Sequence, residues 1–145
     1  MPVLLFSALV ALVAGVAVGF QNPLAALMGQ RIGLLQSAFV VHLGGAVVAG
    51  GLMAVTPGGR IAGWNTVPWY ALGAGALGVV FISAISYTIP RIGVAATVGL
   101  LLTAQLAIAA SLDHYGWLGV MVRAIDPWRM LGLALLLLGA WLVLR

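Results

Sequence analysis

The chain has 145 residues, of which 64% are hydrophobic and 6% charged, with no cysteine and a formal net charge of +4. A soluble domain carries about 45–50% apolar and about 25% charged residues, so a water-soluble globular fold is excluded. Disorder is excluded for the opposite reason, because disordered chains are poor in apolar residues. Without cysteine there is no disulfide, thiolate metal site or reactive thiol. The six arginines are scattered singly and form no patch for nucleic acid. What remains is an all-α integral membrane protein with little outside the bilayer.

A spanning helix needs about 20 apolar residues, and five stretches qualify. The first runs from Val3 to about Met28. It follows Met1-Pro2 with no basic segment and no small-residue cleavage site, so it reads as a retained span rather than a signal peptide. Late in this run come Gln21, Asn22 and Pro23. Proline has no N–H to give the carbonyl of Gly19, so the helix is expected to end early or re-enter there, with a freed carbonyl beside two amides. The break is read at Gly29-Gln30-Arg31. The second span is Leu34 to Val55. His42 lies roughly 12 Å into it and is its one group that titrates near neutral pH. That imidazole either carries a coupling proton or stays neutral on a backbone carbonyl.

Pro57-Gly58-Gly59-Arg60 separates the second span from the third, Val67 to about Ile89. In the third, Ser83, Ser86, Tyr87 and Pro90 fall at i, i+3, i+4 and i+7 and share one face. Pro90-Arg91 is read as the next break. The fourth span, Ile92 to Leu112, places Thr97, Leu101 and Gln105 on one face. Gln105 lies roughly 20 Å from the start of the span, where an amide needs either a neighbouring helix or a substrate. Asp113 and His114 close this span, and Asp113 is expected to pair with Arg123 or Arg129. After a loop to Pro127, the fifth span runs from Trp128 to Leu144. Trp64, Trp69, Tyr70, Trp117 and Trp128 read as an interfacial aromatic belt. No internal repeat and no soluble domain is apparent.

Small residues recur at helix-packing spacing: Gly15/Gly19, Gly45/Ala49, Ala46/Gly50, Ala71/Gly75, Ala74/Gly78 and Ala95/Gly99. Lipid gives helices no hydrophobic reason to associate, so close backbone approach must supply the contact. Five spans place Arg60, Arg123 and Arg129 on one side and Arg31, Arg91 and Arg145 on the other. Arginines in short loops set orientation, and a balanced count predicts insertion both ways round. Two chains would then pair about a two-fold axis in the membrane plane, the symmetry of inverted-repeat transporters. Polar groups inside spans are costly and mark pathways. The candidate substrate-binding residues are therefore Gln21, Asn22, His42, Ser83, Tyr87, Thr97 and Gln105. Mid-span carboxylates and enzyme motifs are lacking, so neither a carboxylate-driven proton exchanger, a metal or cofactor site, nor an enzyme is expected.

Four stretches carry a resemblance. They are Gly19-Phe20-Gln21-Asn22; Pro68-Trp69 followed by Gly73, Gly75 and Gly78; Ile92-Gly93-Val94-Ala95-Ala96-Thr97 leading to Gln105 and Asp113-x-x-Gly116; and the run from Gly132 ending Leu138-Gly139-Ala140-Trp141-Leu142. In their order and spacing, over nearly the whole chain, the sequence resembles the short five-helix (YdcZ) family of the drug/metabolite transporter superfamily. A small or apolar residue is expected after Asn22 in that family, and Pro23 departs from it. The resemblance implies one half of a ten-helix inverted-repeat transporter, lodged in the bacterial inner membrane and working as an antiparallel homodimer. It implies export of a small metabolite or drug-like molecule by alternating access. Two alternatives stand beside it: a dual-topology channel for a small ion, and a non-transporting partner of another membrane protein.

Overall fold

The computed structural model describes residues 2–56, 61–143 and 145. Every regular element among them is helical: α1 Pro2–Ile32, α2 Leu34–Val55, α3 Trp69–Leu72, α4 Ala74–Ile92, α5 Val94–Tyr115 and α6 Pro127–Val143. Short 3-10 turns occupy Ile61–Thr66 and Trp117–Gly119. Among the described residues, four helical stretches are long and apolar enough to cross a bilayer: Leu4–Ile32, Leu34–Val55, Trp69–Ile92 and Val94–Tyr115. The last apolar helix, α6, has 17 residues. The break Pro57-Gly58-Gly59-Arg60, and Leu144, lie outside the described residues.

The helix boundaries correct the sequence reading at both prolines. α1 is continuous through Pro23 and does not stop near Met28; Gly29, Gln30 and Arg31 are its last turn. α4 likewise continues through Pro90 and Arg91 to Ile92. In hydrocarbon an interrupted helix exposes several backbone groups, whereas a proline within one leaves a single carbonyl without its donor. Continuity therefore costs less than a break. The helices end instead at single glycines. Gly33 has φ +102° and Gly93 φ +84°, a region open to glycine and strained for other residues. Each glycine carbonyl accepts the first i→i−4 hydrogen bond of the next helix, from Ser37 N–H to Gly33 at 3.0 Å and from Thr97 N–H to Gly93 at 3.2 Å. Both junctions are spelled Arg-Ile-Gly, at residues 31–33 and 91–93, a three-residue recurrence too short to stand out as a repeat.

The third expected span is divided. α3 begins after Pro68 and ends at Gly73, from which α4 starts afresh. α5 closes on Gly116, whose left-handed φ of +64° lets its N–H bond the Leu112 carbonyl, the usual glycine stop. α6 opens on Asp126-Pro127. The Asp126 carboxylate accepts the Arg129 N–H at 2.8 Å, and proline occupies the first turn, where its missing N–H has no role.

The chain falls into two compact units, residues 1–90 and 91–145. In the first, the buried residues gather at one end of the helices: Asn22, Ala25 and Ala26 on α1, Ser37 and Ala38 on α2, and Ile82, Ile85, Ser86 and Ile89 on α4. The other halves of α1 and α2, residues 4–21 and 43–56, are exposed throughout. In the second unit, α5 lies close against α6 at Gly99, where an added Cβ would meet the Ala140 Cβ at 3.5 Å. Thr103 bonds back to the Gly99 carbonyl at 2.8 Å, which removes its hydroxyl from competition. At the far end, Asp113 and Arg129 pair at 3.6 Å, as the sequence suggested.

Candidate functional site

Small side chains bring three helices of the first unit together around one backbone atom. The Ala25 carbonyl of α1 accepts the Ser37 hydroxyl of α2 at 2.7 Å and the Ser86 hydroxyl of α4 at 3.1 Å. The two hydroxyl oxygens lie 3.5 Å apart. All three residues are buried to 1% exposure or less. One turn on, Gly29 backs directly onto Ser86: a Cβ there would stand 2.6 Å from the Ser86 Cβ. The spacing Ala25-x-x-x-Gly29 is what permits this approach. Interhelical hydrogen bonds of this kind in membranes are worth about 0.6 kcal/mol each, up to about 1.7. A cycle of Ser37→Ala, Ser86→Ala and the double variant should therefore show coupling of that size in detergent unfolding, since both donors share one acceptor.

Above this node the polar groups are less well served. Asn22, three residues before Ala25, is 2% exposed, and its Oδ1 has no hydrogen-bond partner among the described residues. Ser83, three residues before Ser86, has a buried Oγ that likewise has none. A buried polar atom without a partner costs about 1–3 kcal/mol, so two such atoms in one unit are not explained by packing. Higher again, His42 Nδ1 lies 2.7 Å from the Ala38 carbonyl. A carbonyl only accepts, so Nδ1 carries the proton in this bond. Nε2 sits against Gly78 of α4, where any Cβ would collide with it. Gly78 thus makes room for the imidazole between α2 and α4.

The remaining candidates are placed differently. Gln21 is exposed on α1 and lines a groove of about 370 Å³ between α1 and α2, together with Phe20, Val41 and Gly45. On α4, Ser83 and Ser86 turn inward while Tyr87 is 50% exposed. In the second unit, Thr97 is 3% exposed with an unpartnered Oγ1, and Gln105 is exposed. Thr103, one turn from Gly99, is the other buried polar side chain of α5. The sequence reading did not single out Ser37 or the Ala25 carbonyl. Ser37 stands one turn into a helix, and its partner is a backbone atom that no residue pattern displays.

The unit therefore presents an amide oxygen and a hydroxyl oxygen under the His42 imidazole and within apolar helix walls. Among the described residues no group of three His, Cys, Asp or Glu side chains is placed to hold a metal. Apolar helices of spanning length with a polar interior define a multi-pass membrane protein. The family described as "putative inner membrane exporter, YdcZ" matches over residues 6–142, and the chain belongs to it. It is accordingly an inner-membrane protein of a transport family. No curated protein and no solved structure matches the chain.

Proposed function

We propose that the chain is one half of a small-molecule exporter, completed by a second copy inserted the other way up. The observation that carries this reading is the pair of unpartnered acceptors, Asn22 Oδ1 and Ser83 Oγ, inside the membrane-length helices of a transport-family protein. An amide oxygen that accepts and finds no donor among the described residues suits a substrate that brings one: a small molecule with hydroxyl, amine or amide hydrogens. Gln21, at the groove between α1 and α2, and Tyr87 would meet the substrate outside the buried core. His42 Nε2 would take a proton or a substrate hydrogen bond. Thr97 and Gln105 are the substrate-contacting candidates of the second unit.

Three features support the second copy. A 17-residue helix rises about 25 Å, at the short end of the range of about 17–25 residues that crosses a bilayer, so α6 would serve as the fifth span. Five spans then divide the arginines three and three. Gly15, Gly19, Gly45 and Gly50 have nothing within 4 Å of where a side chain would stand, which leaves the small-residue faces of α1 and α2 open for a partner helix. Access would alternate as the two protomers exchange conformations. The test is export by the purified protein in vesicles, compared between the wild type and Asn22→Leu across a panel of hydrogen-bond-donating metabolites and dyes. The reading requires at least one compound to be moved by the wild type and not by the variant.

A further inference from the structure

The second unit holds a groove of its own. It measures about 260 Å³ and lies between α5 and α6, with Leu106, Ala109, Leu133 and Leu136 along its walls and Asp113 and Arg129 at one end. We propose that this groove binds one phospholipid with a zwitterionic, primary-ammonium headgroup: phosphate on Arg129, ammonium on Asp113, and an acyl chain along the leucines.

The two charges are built in but poorly satisfied by each other. Their closest atoms, Arg129 Nη1 and Asp113 Oδ2, are 3.6 Å apart, beyond hydrogen-bond distance. The other contact of the Arg129 guanidinium, to the Arg123 carbonyl at 3.3 Å, uses the same Nη1. The Nε–Nη2 edge, which grips a phosphate with two parallel bonds, has no partner among the described residues. The Asp113 carboxylate accepts no hydrogen bond there either.

The segments that carry both groups are ordered by hydrogen bonds to their main chain. The Asp126 carboxylate caps the Arg129 N–H at 2.8 Å, and the Asp113 carbonyl accepts the Arg123 N–H at 2.8 Å. Ile125 N–H donates to His114 Nδ1 at 3.1 Å. One open guanidinium edge beside a carboxylate that accepts no hydrogen bond among the described residues complements a headgroup that carries one charge of each sign.

Position selects a lipid over a soluble zwitterion. The charged end lies where a spanning-length helix stops, α5 at Tyr115, and where α6 begins, at Pro127. Tyr115, Trp117 and Trp128 are exposed there, as at a headgroup boundary. The apolar end runs down the helices, and Leu106 and Leu136 are both 37% exposed, so the groove opens sideways toward acyl chains. A tail already dissolved in lipid gains no hydrophobic energy by entering. Selectivity must therefore come from the two headgroup contacts.

Native mass spectrometry of the purified full chain in detergent tests this, titrating phosphatidylethanolamine, phosphatidylglycerol and tail-less phosphoethanolamine. The expected result is one phosphatidylethanolamine retained per chain, at least about fivefold tighter than phosphatidylglycerol, and no competition from phosphoethanolamine. Asp113→Asn should reduce phosphatidylethanolamine to the phosphatidylglycerol level. Arg129→Gln should weaken both lipids. Gly132 borders the groove and has nothing within 4 Å of its missing side chain, so Gly132→Leu should fill the groove and abolish retention while leaving both charges and the helix content unchanged. Equal binding of the two lipids, or phosphatidylethanolamine retention unchanged in Gly132→Leu, overturns the proposal. So does full competition by phosphoethanolamine, which would make the site one for a soluble zwitterion.

Discussion

Gly29→Val should be the most damaging single substitution in the first unit. Its first added carbon would stand 2.6 Å from the Ser86 Cβ and 3.0 Å from the Ser86 Oγ. Ser86 cannot retreat without leaving the Ala25 carbonyl, and both residues sit on helix backbones rather than at the ends of flexible side chains. Overpacking of this kind costs about 1–3 kcal/mol. Parting α1 from α4 also removes an interhelical hydrogen bond worth about 0.6 kcal/mol. The unfolding midpoint in a denaturing-detergent titration, followed by circular dichroism, should drop accordingly. Gly51→Val is the matched control, because nothing stands within 4 Å of that position. If the two variants unfold together at the wild-type midpoint, the three-helix node is not what holds this end of the unit.

Asn22→Leu should have the largest effect on transport, and with the opposite sign on stability. Leucine copies the branched outline of asparagine and removes a buried oxygen that has no partner, a group whose burial costs about 1–3 kcal/mol. A purely structural Asn22 predicts a variant that folds at least as well and exports at the wild-type rate. A substrate-binding Asn22 predicts a variant that folds at least as well and exports at least about tenfold more slowly, the equivalent of one lost hydrogen bond at about 1.4 kcal/mol. The split between folding and export is the readout, so a misfolded variant cannot imitate it.

The sequence disclosed the helices well and their inward faces poorly. Apolar length alone placed α2 at Leu34–Val55, as found. The same hydropathy blurred the junctions, because in lipid a proline within an apolar run bends the accounting of one carbonyl and does not end the helix, whereas a single glycine with positive φ does. The double Arg-Ile-Gly spelling was the available signal for those junctions. Side-chain direction was harder. α1 and α2 are apolar nearly all round, so no amphipathic stripe tells which face turns inward. Asn22 was legible because an amide in a span stands out, and Asp113 because it had arginines within reach. Ser37 was not, since serine is common in membrane helices and its role depends on a carbonyl of another helix. Gln21 and Gln105 show the converse, being conspicuous in sequence yet exposed in the single chain.

The central claim is that two oppositely inserted copies make one exporter, and orientation tests it most directly. The chain has no cysteine, so Met121→Cys, in the exposed loop between α5 and α6, gives a single reporter. It leaves every arginine that sets topology in place. Labelling sealed, right-side-out inner-membrane vesicles with a membrane-impermeant thiol reagent should modify about half of the molecules, with the rest modified only after permeabilisation, as a balanced charge count predicts. Labelling near zero or near complete before permeabilisation would establish one fixed orientation and contradict the antiparallel assembly.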